Sequence, residues 1–503
     1  MFLIMVCRLK NIHRKGLNAY VRITKHHTIM KSPSSSSYIT KAWVEFMLTE
    51  YENKKETDTK VTVKTYSIRN ATKPGESFNA ELILLDVQAV LSGGEGPEEA
   101  PEDKEYNLIV KFLTKDPLSC ELIKRCGYHI KELMMYSEVV KELNDFQAIH
   151  ANDEFRLDLP EYIYGKCTEK EYVLVMGNIK VLGYETNPKR EGLDFLHAKL
   201  AVNHVARLHA VSYAYDKSHN FIEKYPCFQF SNAISAFFKP VVWASLANSI
   251  TFLKSKKTYE EMVHKLETGK TTLPLKFAAL WDDQTRHKFL CLTHGDFWNS
   301  NLMFKHGSST VNEERSIESL KLIDWQISQW NNPVFDLHYL LNTSTSFEMR
   351  RDHAEEILRH YHTTFTEATT KMGTPVPNWN YEQFKAEFER TSLVGFLMGM
   401  CLIQGTLSKA GENINHTGST CLSNACCHPC KVVVDKIKTG IAKVTVSFAF
   451  KPSSSYIMRA CVKKVLSPIG QELVEGNNEV LNGRLLDLLM EADEKGVLDV
   501  LTL

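Results

Sequence analysis

FLCLTHGDFWNSNLMF, residues 289–304, is the stretch whose reading decides the fold. An apolar run delivers His294-Gly295-Asp296 into a loop, and Asn301 follows five positions after the aspartate. A second apolar run, LKLI (320–323), then delivers Asp324, followed by Trp325 and Gln326. Alone, a His-Gly-Asp is a turn signal and an Asp after a strand is a helix cap. In this order they fit phosphoryl transfer. One carboxylate takes the proton of the incoming hydroxyl, a short loop places an amide oxygen beside it, and a second carboxylate holds the metal ions that bridge nucleotide phosphates. The five-residue spacing puts Asp296 and Asn301 on opposite sides of one tight loop.

Working outward, the N-terminal half supplies complementary parts. Lys111 stands inside the β-branched run NLIVKFL (107–113), a predicted strand where a charge costs desolvation unless it is partnered. YHIKELMMYSEVVKEL (128–143) has helical periodicity, with Tyr136, Val139 and Leu143 on one apolar stripe and Glu132 on the same stripe one turn earlier. Lys on the strand and Glu on the next helix can pair, leaving the ammonium aimed at the α- and β-phosphates.

The wider pattern is α+β and two-lobed. AWVEFML reads as a helix near Ile39, VTVKTY (61–66) and AELILLDVQAVL (80–91) as strands about the turn KPGES (73–77), and YVLVM (172–176) as a short strand. GGEGPEEAPEDKE (93–105) reads as a solvated loop. From about residue 193, beginning with LDFLHAKLAVNHVARLHAVSYAY, helical patterns dominate. A chain of 503 residues exceeds what one core serves. The expected units are a disordered extension over 1–38 ending in KSPSSSS, an N-terminal nucleotide-binding lobe over 39–177, a C-terminal catalytic and acceptor-binding lobe over 178–411, an atypical insertion or gene-model irregularity over 412–458, and C-terminal helices over 459–503.

Lys plus Arg and Asp plus Glu each number 60, so nothing in the balance suggests a nucleic-acid or acidic-lipid surface. No run approaches the ~18 apolar residues of a membrane span. The basic residues near the start follow the apolar MFLIMVC instead of preceding it, so no cleaved signal is expected. Scattered single cysteines read as reduced thiols of a cytoplasmic protein. Two other signals are set aside. TGKTT (268–272) has His264 where a phosphate-binding loop needs glycine, and CLSNACCHPC (421–430) lacks a second Cys pair at a zinc-site interval.

Taken together, these residues resemble the protein-kinase-like phosphotransferases, in the small-molecule branch with aminoglycoside and choline kinases, and most closely the ecdysteroid kinase-like family of arthropods. The similarity rests on LIDWQ (322–326), NPVFDL (332–337), ARLHAVS (206–212), VLVMGNIKVLGY (173–184) and LLDLLMEADEKGVL (485–498). The resemblance implies a bilobal protein-kinase-like fold, with a small mainly β N-terminal lobe and a larger mainly helical C-terminal lobe. It also implies ATP and Mg²⁺ as cofactors. Asp296 resembles the catalytic base, Asn301 and Asp324 the magnesium ligands, and Lys111 with Glu132 the phosphate-anchoring pair. Asp336 resembles an aspartate that braces the catalytic loop. KPGESFNAEL (73–82) takes the place of the nucleotide-covering loop, with Gly75, Glu76, Ser77 and Phe78 nearest the phosphates; it has one glycine where protein kinases have several. Met176, Gly177 and Asn178 take the place of the adenine-reading corner, where family members often carry Glu-Asp or Glu-Asn.

The expected activity is therefore transfer of the ATP γ-phosphoryl group to a hydroxyl of an ecdysteroid-like steroid or a xenobiotic alcohol, by a monomer that binds neither nucleic acid nor membrane. The rivals are a choline- or ethanolamine-type kinase, for which no cluster of acids and aromatics is obvious, and a catalytically dead small-molecule-binding relative.

Overall fold

The computed structural model describes residues 30–54, 59–71, 80–93, 101–168, 171–231, 233–307, 316–409 and 455–499. Helix α1 (Lys41–Glu52) is capped by Thr40, whose hydroxyl accepts from the Trp43 N–H. Five strands follow: β1 (Lys60–Asn70), β2 (Ala80–Ser92), β3 (Glu102–Leu113), β4 (Tyr162–Cys167) and β5 (Tyr172–Gly177). They form one antiparallel sheet in the order β1-β2-β3-β5-β4.

Alternation along the strands sets the two faces of this sheet. Leu108, Val110 and Phe112 of β3, with Val173 and Val175 of β5, pack on Trp43, Val44, Met47 and Leu48 of α1. Ile109 and Leu113 of β3, with Leu174 and Met176 of β5, face the main core. Lys111 falls in register with that second set. It therefore points at the helical run that follows α2 (Pro117–Cys126), where Glu132 receives it; this run is α3 (Tyr128–Met134), a π-helical turn (Met135–Val139) and α4 (Val140–Ala151). All four stripe residues of that run are buried, at 7% exposure or less.

The larger part is mainly helical. After the short β6 (Tyr184–Glu185) come α5 (Phe195–His219), α6 (Ala233–Lys256), α7 (Glu260–Gly269) and α8 (Leu273–Asp282). Two small sheets then interrupt the helices: β7 (Cys291–Thr293) pairs with β10 (Gln329–Asn331), and β8 (Leu302–His306) lies between β6 and β9 (Ile317–Leu322). The chain closes with α9 (Val334–Ser344), α10 (Phe347–Lys371), α11 (Tyr381–Arg390), α12 (Ser392–Leu407), α13 (Ser455–Glu475) and α14 (Glu479–Glu494). A buried pair, Arg350 Nη2 to Glu491 Oε2 at 2.6 Å, ties α10 to α14. No single described helix is long and apolar enough to cross a membrane; α12, the most apolar, is buried along most of its length.

Three expectations change. The boundary at 38 is too late: Ser32 and Ser35 are buried, Ser36 Oγ donates to Glu81 at 2.6 Å, and Lys166 Nζ donates to the Met30 carbonyl. Short hydroxyl side chains that read as linker instead satisfy groups along the sheet. The loop expected to run to residue 105 gives way to strand at Glu102. Its charges are partnered there, Lys104 to Glu52 at 3.1 Å and Asp103 to Lys64 at 2.5 Å, so the polar run still forms a ladder with β2. The helix expected over 128–143 carries a π turn in its middle and extends to Ala151. Of the expected insertion at 412–458, only Ser455–Met458 are among the described residues, as the first turn of α13.

Candidate active site

Two loops, one strand and one helix build the site. β7 ends in buried Thr293, and the chain turns at Gly295 with φ +82°. A Cβ there would lie 2.5 Å from the Ile327 carbonyl oxygen, so only glycine fits both the backbone and the space. The turn is pinned from below. Asp336, in the first turn of α9, accepts from the N–H of His294 at 2.7 Å and of Gly295 at 2.9 Å. His209 of α5 holds that carboxylate in turn, Nε2 to Oδ2 at 3.0 Å, while its Nδ1 lies 2.8 Å from the Tyr361 hydroxyl of α10.

His294 joins the two loops. Its Nδ1 accepts from the Asp296 N–H at 3.3 Å, which places the ring proton on Nε2, and Nε2 donates to the Ile323 carbonyl at 3.0 Å. Burial lowers the affinity of this ring for a second proton, so it serves as a neutral cross-link.

Asp296 is held on both oxygens. The Tyr339 hydroxyl donates to Oδ1, and Asn301 Nδ2 donates at 2.9 Å to both Oδ2 and the Asp296 carbonyl. Asn301 closes the 3-10 turn Asn299–Asn301, and its own carbonyl accepts from the Ile323 N–H at 3.1 Å. Next along the chain, Asp324 sits in the left-handed region with φ +66°, an uncommon conformation for a residue with a Cβ and one that clusters at functional sites. Its Oδ1 accepts from Lys111 Nζ at 3.0 Å and from the Gln326 amide. Lys111 Nζ also donates to Glu132 Oε1 at 2.7 Å, and the Tyr172 hydroxyl reaches Glu132 Oε2 at 3.3 Å.

Charge is not balanced here. Glu132 and Asp324 share one ammonium, and a third carboxylate, Asp296, stands beside them without a cationic partner among the described residues. Burial pushes Asp296 up to about 6, and the neighbouring Asp324 charge adds to that against the Tyr339 and Asn301 hydrogen bonds. Burial likewise pushes Glu132 up to about 7 against the pull of Lys111. Lys111 and Asp324 stabilise each other's charged forms strongly enough to overcome burial, raising the lysine and lowering the aspartate. A half-buried cluster with surplus negative charge and hard oxygen donors suits a small divalent cation. None of the described residues donates to Asp324 Oδ2 or to Asn301 Oδ1, which leaves both atoms for that purpose.

The structure thus brings together Lys111, Glu132, Asp296, Asn301 and Asp324. Gly75, Glu76, Ser77 and Phe78 lie outside the described residues. Met176 and Gly177 end β5 and Asn178 follows it, with Gly177 opposite Leu108 in the register that sets Leu174 opposite Lys111. Three residues of strand separate that corner from Lys111, roughly 10 Å. The Gly177 N–H is already donated to the Glu161 carbonyl and the Asn178 N–H to the Asn107 carbonyl, both at 2.9 Å, and the Asn178 side chain caps Lys180. These two amides are spent in the sheet and its turn and are unavailable to read a base. Sequence reasoning missed Tyr339, His209, Tyr172 and the hydrogen bond of Gln326. Tyr339 lies one helical turn after Asp336, a spacing that puts both side chains against the same loop.

A two-lobed α+β fold with this cluster between its sheet and its helices defines a small-molecule phosphotransferase of the protein-kinase-like class. The sequence profile of the ecdysteroid kinase-like family matches residues 74–374, and the chain belongs to that family. No curated protein matches it. Among solved structures, the GDP complex of wild-type aminoglycoside 2'-phosphotransferase-IIIa aligns at 10% identity over 80% of this chain and 98% of that one, TM-score 0.34. A Plasmodium vivax ethanolamine kinase aligns at 10% identity over 86% and 94%, TM-score 0.30. A choline/ethanolamine kinase family protein from Mesorhizobium loti aligns at 13% identity over 79% and 92%, TM-score 0.30. At such TM-scores the likeness carries nothing further.

Proposed function

We propose that this protein transfers the γ-phosphoryl group of ATP to a hydroxyl of an ecdysteroid-like steroid or another apolar alcohol, with Mg²⁺ as the metal. The observation that carries the reading is the Lys111 ammonium bridging Glu132 and Asp324, with Asp296 and Asn301 hydrogen-bonded to each other on the adjoining loop. Asp296 accepts the proton of the acceptor hydroxyl, and its raised proton affinity makes it a better base than an exposed carboxylate. Tyr339 and Asn301 fix the carboxylate plane so that its remaining lone pairs face the acceptor. Asn301 donates to Asp296 through Nδ2 while its Oδ1, with Asp324, would hold the metal. Bound there, the metal would neutralise charge on the phosphates. Lys111, held straight by Glu132, contacts phosphate oxygens. The acceptor oxygen forms its bond to the γ-phosphorus as the bond to the bridging oxygen breaks, and ADP departs.

The family resemblance supports an ecdysteroid-like acceptor, and the named activities of the structural neighbours supply the contrast. The test is ATP consumption by the purified full-length protein against ecdysteroids, plant-derived alcohols, choline and ethanolamine, with Asp296→Asn as control. Turnover of an apolar alcohol that the variant lacks supports the reading. Turnover of choline or ethanolamine alone would replace the acceptor, and tight ligand binding with no phosphate transfer would replace the enzyme with a binding protein.

A further inference from the structure

Away from this cluster, four side chains at the junction of α5, β6 and β8 form an array that phosphoryl transfer does not use. Asp194 caps α5, and its Oδ1 accepts from the backbone N–H of His197 at 2.9 Å and from the ring Nδ1 at 2.8 Å. That carboxylate fixes the His197 proton on Nδ1 and leaves Nε2 as a bare lone pair. Facing it at 3.0 Å is Nε2 of His306, the last residue of β8. The outer nitrogen of His306, Nδ1, is buried without a hydrogen-bond partner, yet Glu185 Oε1 of β6 stands 3.5 Å from it. Each imidazole therefore has a carboxylate behind it and the other imidazole in front.

Both carboxylates favour a proton on the outer nitrogen, which turns two Nε2 lone pairs toward each other. At 3.0 Å that arrangement needs something positive between them, a proton or a metal ion. Metal-bound histidines are characteristically backed by a carboxylate in this way, which raises ligand basicity and fixes the ring. We propose that His197 and His306 form a binding site for a divalent transition metal of the zinc type, completed by water, with Asp194 and Glu185 as the outer carboxylates. Imidazole donors favour zinc, copper or nickel over magnesium, so the site differs in chemistry from the phosphate-binding cluster.

The fit requires both rings to move. Two nitrogens about 2.05 Å from a tetrahedral zinc lie roughly 3.3 Å apart, a few tenths beyond the present separation. The ring centroids are 5.3 Å apart, so the rings meet nearly end to end and must also tilt. The His197 and His306 side chains are 13% and 14% exposed, open enough for an ion to enter, and Phe304 walls His197 at 4.7 Å between centroids. Among the described residues no group of three metal-ligating side chains occurs, so this is a two-ligand site with open positions. Its metal would clamp the start of α5 to β8, the strand that leaves Asn301.

Zn²⁺ titration of the chelator-stripped full-length protein by calorimetry tests this. The expected result is a saturable site that disappears, lowering the zinc stoichiometry by one, in both His197→Gln and His306→Gln. Glu185→Gln should weaken that site about 10- to 100-fold. Cu²⁺ bound to the wild type should show paramagnetic-resonance coupling to two imidazole nitrogens, a readout that holds even if a variant does not fold. An unchanged zinc stoichiometry in both histidine variants, absence of saturable binding in the wild type, or Cu²⁺ without that nitrogen coupling would mean that the pair only shares a proton, and would overturn the proposal.

Discussion

Lys111 and Asp324 are 213 positions apart in the sequence, and their charged ends meet at 3.0 Å. The lysine comes from the sheet and the aspartate from the loop between two small sheets of the helical part, so one ion pair connects the two regions. The same ammonium is 2.7 Å from Glu132, and the lysine and glutamate side chains are 9% and 3% exposed. Removing the lysine alone leaves two carboxylates uncompensated, the deeply buried Glu132 and the more exposed Asp324. Lys111→Met should cost about 3–5 kcal/mol of stability, and the double variant Lys111→Met with Glu132→Leu should recover a large part of it. Thermal or urea unfolding of the three proteins measures this, and equal losses in the single and double variants would remove the buried-pair argument.

Tyr339→Phe removes one donor from Asp296 and nothing else of its shape. A hydrogen bond to a charged group contributes about 1.5–3 kcal/mol. Turnover should fall about 10- to 100-fold with nucleotide affinity unchanged. A rise in the nucleotide KM at constant kcat would place Tyr339 outside the proton-accepting step.

Gly295→Ala should be the most damaging single-carbon change in the loop. It adds a Cβ 2.5 Å from a backbone oxygen at a residue with positive φ. The strain, on the order of 1–3 kcal/mol, falls on the two N–H groups that Asp336 binds. Expected are a lowered melting temperature and loss of transfer activity. Wild-type activity in this variant would show that the turn relaxes without moving Asp296.

These three sites also mark how far the sequence was legible. Asp296, Asn301, Asp324, Lys111 and Glu132 could be found because each is a polar exception next to an apolar strand or on an apolar stripe. The alternation Ile109, Lys111, Leu113 even gives the face. Tyr339 and His209 were hidden for the opposite reason: a tyrosine and a histidine on buried helical faces look like core, and only the distant chain they touch reveals their polar ends. The start of β3 was obscured by its charges, whose partners Glu52 and Lys64 lie on other elements. Ser32 and Ser35 read as linker because short hydroxyl side chains are typical of turns, whatever they pack against.

Acid stability offers a separate check. Glu387 of α11 is engaged by His287 at 3.1 Å and by Arg390 at 2.6 Å. Burial alone would raise its proton affinity, but those partners hold it down to about 2. Its folded value lies below the unfolded one of about 4.3, so its contribution is fully present above that pH and is lost as pH falls toward 2. The difference in melting temperature between the wild type and Glu387→Gln should be largest near neutrality and shrink below about pH 4.5. A gap that is constant with pH would mean that the ion pairs are not the source of the stability.

The separate roles of Asp296 and Asp324 are the centre of the account, and one paired measurement addresses them: ATP·Mg²⁺ affinity by calorimetry alongside phosphate transfer for Asp296→Asn and Asp324→Asn. Asp296→Asn keeps the shape and one acceptor oxygen, so nucleotide binding should persist while turnover falls by ~10²–10⁴. Asp324→Asn removes charge from the proposed metal-binding position, so magnesium-dependent nucleotide binding should weaken together with turnover. Identical behaviour of the two variants, in binding and in transfer alike, would contradict it.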